Sequence, residues 1–419
     1  MREGRPLSEA EVLIGLSAIL VFGVVAQLIA GWLKLPSVLV LLVAGFIAGP
    51  VTGIVEPDVL FGELLFPGIS LAVGLLLFDG GLQLKFKEIR ELEGVIIRLV
   101  TVGVIVTWLV GALTINLVTD LDGRTALLAA AVLIVSGPTV VIPILRRILP
   151  DPPSGEILEW EGILIDPVGA TIGVVTLGVV LQGDTIPGAL GSIALTLVAG
   201  VGAGLIGAVL ATAMLAKMSV PKLLRAPTAL AAAVFSYTLA NLIAPEAGLF
   251  ATTVFGMCLA NQAFTPVDDI AAFEEGIGVF ALGSLFVILG ARMPVQGVID
   301  NLVPGLILLA VLVLIARPLA VLASTAGSAI ERKDSLFLMA LAPRGIVAAA
   351  TASVFALEID AEGLEGGETI ISLTFIVIIG AGMIYGLGAG PAGRRLGVVH
   401  DTVPTTTAPS PAPDETKHV

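Results

Sequence analysis

Apolar residues run through this chain in long blocks, without the strict alternation of a half-buried strand and with few polar interruptions. A helix that crosses a membrane needs about 20 apolar residues, and about thirteen such runs can be marked. They cover 12–33, 37–54, 62–83, 94–118, 125–149, 157–182, 187–216, 226–244, 246–263, 272–291, 302–329, 335–357 and 369–390. The seventh is long enough to tilt or to contain a break. The pattern predicts an all-α polytopic membrane protein: one transmembrane domain over 1–399 and a Thr/Pro-rich tail over 400–419. That tail offers too little apolar surface to fold and is expected to be disordered. No small-residue cleavage site follows the first run, which is therefore expected to be a retained helix and not a signal peptide.

Composition narrows the function classes. Charged residues make up 13% of the 419 and hydrophobic ones 57%, where soluble domains carry roughly 25% charged residues. The net charge of −13 argues against nucleic acid as a partner. A single cysteine, Cys258, excludes an intrachain disulfide and a cysteine metal cluster, and both histidines, His400 and His418, fall in the tail. Nothing resembles a phosphate loop; the 49 glycines suit close packing of helices in lipid. No cofactor and no enzymatic activity are expected. Trp32, Trp108 and Trp160 stand near run ends, where interfacial anchoring is expected.

Lys and Arg collect on the cytoplasmic side of membrane proteins. With the N-terminus outside and runs alternating, fifteen of the 21 basic residues fall on inner segments and four on outer ones. The remaining two, Arg317 and Arg344, lie within runs. The expected topology is N-terminus out, C-terminus in, across the cell membrane.

Two runs are interrupted at their centres. The fifth carries Ser136-Gly137-Pro138 and the twelfth Pro343-Arg344-Gly345. Proline removes a backbone donor and glycine weakens a helix, and free backbone groups at membrane depth persist only beside protein or a cavity. The breaks are seven runs apart. An odd offset inverts orientation, so they read as an inverted repeat with two broken, crossing helices, as in many secondary transporters.

Charges in hydrocarbon mark functional sites. Glu161 and Asp166 lie in span six, Arg317 in span eleven and Arg344 in the second break. Five residues of α-helix separate the two acids by about 140°, so they do not share one site. An arginine is always charged; Glu161 with Arg317 is the expected structural ion pair. Asp166 is left as the exchangeable group at the level of the first break. A buried aspartate can hold a proton or a partly dehydrated cation, not both, and that competition suffices for antiport. Ser136, Thr139 and the freed carbonyls could complete an oxygen shell around a hard monovalent cation. One carboxylate moves one charge each way, which predicts electroneutral exchange. Asp79 in Phe78-Asp79-Gly80-Gly81-Leu82 reads as a loop-facing or capping acid.

At these residues the chain resembles the cation:proton antiporter-1 family, the NhaP-like sodium/proton antiporters and their exchanger relatives. The matching stretches are Phe78-to-Leu82, the first break with the following Val-Ile-Pro-Ile-Leu-Arg-Arg, Glu161-to-Asp166, SLFVILGARM at 284–293, ARPL at 316–319 and APRGIVAA at 342–349. The resemblance implies a thirteen-span fold in which a mobile core, roughly 94–182 and 302–390, moves elevator-like against a dimerisation scaffold. It implies that Asp166 is the cation- and proton-binding aspartate, that Glu161 and Arg317 are the structural pair, and that Arg344 is the broken-helix arginine. Three positions depart from the family pattern: Gly137 replaces an aspartate, Ile165 an asparagine and Gly162 a serine.

The expected function is exchange of a monovalent cation, sodium first and potassium or lithium as alternatives, for protons by a homodimer in the bilayer. A sodium-coupled organic-anion symporter is the reading from another class. A channel or sensor would want a continuous polar pore lining, which the runs lack.

Overall fold

The computed structural model describes residues 8–399 except 88, 90, 183–185, 218, 219 and 343; of Pro138, Thr139, Gln182, Ile186 and Ile346 only the backbone is described. The expectation for the 400–419 tail therefore lies outside the described residues, as does Pro343.

Described residues form helices and connections, with no strand among them. The first group is α1 (Glu9–Leu33), α2 (Ser37–Phe46, continued by a π turn to Val51), α3 (Pro57–Phe61) and α4 (Leu65–Gln83). Then come α5 (Glu93–Arg98), a π turn, α6 (Val104–Val118), α7 (Gly123–Ile134), α8 (Pro138–Ile148) and α9 (Ser154–Gln182). The middle of the chain supplies α10 (Ile186–Lys217), α11 (Lys222–Ile243), α12 (Ala247–Asn261) and α13 (Asp268–Ala291). Last are α14 (Val295–Asp300), α15 (Leu302–Val311), a π turn, α16 (Arg317–Thr325), α17 (Arg332–Met339), α18 (Ile346–Ala361) and α19 (Gly367–Leu396). Among the described residues nine helical stretches are long and apolar enough to cross a membrane, and three shorter apolar helices accompany them. The long seventh run is one unbroken helix, α10.

Local sequence accounts for the helix ends. Ser8 caps α1 in a reciprocal box with Glu11, the side chain of each accepting a hydrogen bond from the other's backbone N–H. Asp122 caps α7 by accepting from the N–H groups of Arg124 and Thr125, at 3.1 and 3.2 Å. Pro138 opens α8 at the first helical position, where its missing N–H costs nothing.

Packing is close. α4 and α12 meet glycine to glycine: a Cβ on Gly81 would stand 2.6 Å from the Thr253 carbonyl, and one on Gly256 would meet the Phe78 carbonyl. With no hydrophobic drive between helices in lipid, such backbone approach is what holds them. Phe78 and Phe255 seal the contact edge to face, centroids 5.3 Å apart.

One expectation is corrected here. Trp160 is buried beside Phe86 and is not an interfacial anchor. Trp108 is half-buried and donates to the Leu127 carbonyl at 2.8 Å. Trp32 is the exposed one. Proximity to a helix end does not say which face a ring occupies.

Candidate functional site

Both interrupted spans are pairs of short helices. α7 stops at Ile134, an extended stretch runs through Val135, Ser136 and Gly137, and α8 starts at Pro138. α17 stops at Met339 and α18 starts at Ile346, with Arg344 and Gly345 in the connection. The long helix α9 packs against α7, α8, α17 and α18, so it carries its acids past both breaks.

Glu161 and Arg317 are joined. Arg317 Nη1 donates to Glu161 Oε1, and Nη2 donates to Oε2 at 2.9 Å, the two-pronged fit of a guanidinium on a carboxylate. Both side chains are buried. The third arm of the fork, Arg317 Nε, donates at 2.8 Å to the carbonyl of Leu338 in the last turn of α17. Arg344, also buried, donates from Nη1 at 2.8 Å to the carbonyl of Ile134, the last residue of α7. Each guanidinium thus meets the C-terminal, partly negative end of a half-helix. Arg344 ties one break to the other. Tyr385 of α19 is buried within electrostatic reach of both.

Asp166 stands differently. It is 1% exposed, yet neither carboxylate oxygen has a hydrogen-bond partner. Oδ2 lies 2.6 Å, and Oδ1 3.0 Å, from where a Cβ on Gly137 would be. The carboxylate therefore occupies the space that a side chain at position 137 would fill, at the N-terminal, partly positive end of α8. Gly137 has φ −75° and ψ 156°, an ordinary extended backbone; glycine is needed here for room, not for conformation.

Of the other residues singled out in the sequence, Ser136 is buried beside Gly137 and is not hydrogen-bonded to Asp166. The side chains of Thr139 and Pro138 lie outside the described residues. Gly345 precedes α18 in extended conformation. Gly162 faces Val141, whose Cγ2 is 3.1 Å from a Cβ built there. Asp79 is no cap: it lies inside α4, facing α13, and Gln83 Nε2 donates to its Oδ2 at 3.3 Å. Glu274, not among the residues singled out by the sequence pattern, is 1% exposed in α13 with Oε1 unpartnered. Its signal was an acid inside a predicted span. Among the described residues no group of three or more metal-ligating His, Cys, Asp or Glu side chains occurs.

The family described as "Sodium/hydrogen exchanger, transmembrane" matches residues 16–395. The chain belongs to that family. Among similar proteins, Na(+)/H(+) antiporter 1 of Methanocaldococcus jannaschii is 27% identical over 353 residues, covering 81% of this chain and 82% of the relative. The K(+)/H(+) antiporter NhaP of Alkalimonas amylolytica is 26% identical over 408 residues, covering 94% of this chain and 68% of the relative. The fold matches the solved sodium proton antiporter of Methanocaldococcus jannaschii at pH 8, with TM-score 0.79 and 23% identity over 91% of this chain and 100% of that one.

Proposed function

We infer that this protein is a secondary active antiporter that exchanges a monovalent cation, sodium first, for protons, with Asp166 binding the two in alternation. The observation that carries the reading is the Asp166 carboxylate, buried and without a partner on either oxygen at the break between α7 and α8. An isolated buried carboxylate costs several kcal/mol. A proton relieves that cost in one way and a partly dehydrated cation in another, and the two exclude each other. Membership of an exchanger family supports the same chemistry.

Glu161 is spoken for by Arg317 and is the structural acid; Arg344 holds the two breaks in register. With Gly137 where the resemblance to the antiporter family implies an aspartate, Asp166 is the single carboxylate of the site, and exchange is electroneutral. Potassium is the second reading for the cation, because relatives of similar identity are named K(+)/H(+) antiporters.

The spans at 94–182 and 302–390 form a core that moves against the remaining scaffold. The protein works as a homodimer in the cell membrane with its N-terminus outside. These points rest on the family resemblance and on the distribution of Lys and Arg.

The test is purified protein in liposomes carrying a pH gradient. Sodium, potassium and lithium are added separately, and a pH-sensitive dye reports the gradient. At least one cation dissipates it; if none does, the antiporter reading fails.

A further inference from the structure

A second group of acids lies where α4, α8 and α13 come together. Asp79 on α4 faces α13: its Oδ2 is 3.6 Å from where a Cβ on Gly278 would stand. Glu274 is one turn earlier on the same face of α13. It is 1% exposed, its Oε1 has no hydrogen-bond partner, and its carboxylate interacts electrostatically with that of Asp79. The neighbouring Glu275 is occupied by Arg146 of α8, which also donates to Gln83 Oε1 at 3.3 Å.

This group holds three carboxylates and one guanidinium: Arg146, half-exposed, pairs with Glu275 and also acts electrostatically on Asp79, while among the described residues Glu274 has only Asp79 as a charged neighbour. Asp79 and Glu274 are left as adjacent acids, one with a dry, unpartnered oxygen. Asp79 opens onto a cavity of about 250 Å³ lined also by Arg146, Glu275, Gln27 and Ser37, with Glu274 behind that lining, one turn from Gly278. Room, carboxylates, an amide and a hydroxyl are the surroundings that suit a hard monovalent cation.

The cavity adjoins the first break. Its α8 wall includes Ile142 and Pro143, five and six residues beyond Gly137, a rise of about 8 Å along the helix. Gly80, next to Asp79, packs on Ile163, whose Cγ1 is 3.2 Å from a Cβ built on the glycine; Ile163 is one turn before Asp166 on α9.

We propose that Asp79 and Glu274 form a second site for the transported monovalent cation, on the approach to Asp166. The proposal rests on the antiporter reading and names where the cation pauses. Three carboxylates against the one guanidinium of Arg146 leave the group short of positive charge, and the unpartnered oxygen of Glu274 is where the shortfall is driest. A cation entering from the cavity supplies the missing charge, with Gln83 and the Arg146–Glu275 pair at the edge.

The experiment is equilibrium binding of ²²Na⁺ to purified, detergent-solubilised protein by scintillation proximity, paired with exchange by the same preparations in liposomes. Wild type binds two sodium ions. Asp166→Asn loses exchange yet still binds one; Asp166→Asn with Glu274→Gln binds none. If Asp166→Asn binds no sodium, the second site does not exist. If the double variant binds as much as Asp166→Asn, the site is not at Glu274, and Asp79→Asn in the same background checks this independently of how Glu274→Gln folds. In liposomes Glu274→Gln alone raises the sodium KM by about fivefold or more, as loss of a charged ligand implies, and changes KM more than kcat. An unchanged KM overturns the proposal. Failure of wild type to exchange any cation is a separate outcome: it removes the antiporter reading itself.

Discussion

The carboxylate of Asp166 sits in the space that a side chain on Gly137 would occupy, Oδ2 being 2.6 Å from the site of the missing Cβ. A bare aspartate on an unbroken helix is thereby brought against the start of a broken one. Residue 137 and residue 166 form one unit, although neither bonds to the other.

Gly137→Ala tests that unit. The backbone at 137 accepts any residue, and the atoms nearest to an added Cβ are those of the Asp166 carboxylate. Overpacking a tight site costs typically ~1–3 kcal/mol. The variant should fold with a lowered melting temperature and lose most of its cation-driven proton exchange. Wild-type exchange by Gly137→Ala would mean that Asp166 does not work from this position.

Glu161 and Arg317 should fail singly and alike. Removing one partner strands a buried charge, at roughly 3–5 kcal/mol. Glu161→Gln and Arg317→Gln should each lower thermal stability markedly, measured by size-exclusion chromatography after heating. The double variant should recover part of the loss, because no bare charge remains. Additive losses would show that the pair is not a closed unit.

Much of this arrangement is legible in the chain. An arginine in an apolar run demands an acid, and Glu161 is the acid on the far side of its helix from Asp166; the pairing follows from charge and helical angle. Ser136-Gly137-Pro138 announces a break because proline and glycine act on the backbone directly. Other contacts leave no trace in residue types. Arg344 is satisfied by the main-chain carbonyl of Ile134, and any residue at 134 would present that carbonyl. Asp79 reads as an interfacial cap from its place in the run, yet the face it turns to α13 depends on how two helices pack. Glu274 does carry a signal, an acid inside a predicted span, but its nearness to Asp79 depends on the same packing. Trp160 is buried within the main core and meets Phe86, a tertiary arrangement that distance from a helix end does not register.

Asp122 lies in the connection before α7, and its acid–base behaviour can be predicted. Hydrogen bonds from Thr125, its side chain first, and from the N–H groups of Arg124 and Thr125 hold the carboxyl below its ordinary value of 3.8, against a smaller opposing effect of burial. A depressed folded-state value means that the cap contributes fully above the unfolded value and is lost as pH falls through the folded one. Asp122→Asn keeps a capping oxygen without the titration. Below about pH 4 the wild type should lose stability relative to Asp122→Asn, read as melting temperature against pH. Parallel pH profiles for the two proteins would contradict the capping role.

A single working carboxylate predicts electroneutral exchange. In liposomes with equal pH and cation gradients, imposing a potassium–valinomycin potential should leave the sodium-driven rate unchanged. A rate that rises or falls with the potential would mean that a second charge moves with Asp166.

The most direct measurement is cation-driven dissipation of a pH gradient by Asp166→Asn beside wild type, in liposomes of equal protein content. Asparagine keeps the size of the side chain and its place against Gly137, and it can neither carry a proton nor charge-balance a cation. Wild type should collapse the gradient on addition of sodium, and Asp166→Asn should leave it standing with every cation tried. Full activity in Asp166→Asn would contradict the assignment of exchange to this carboxylate.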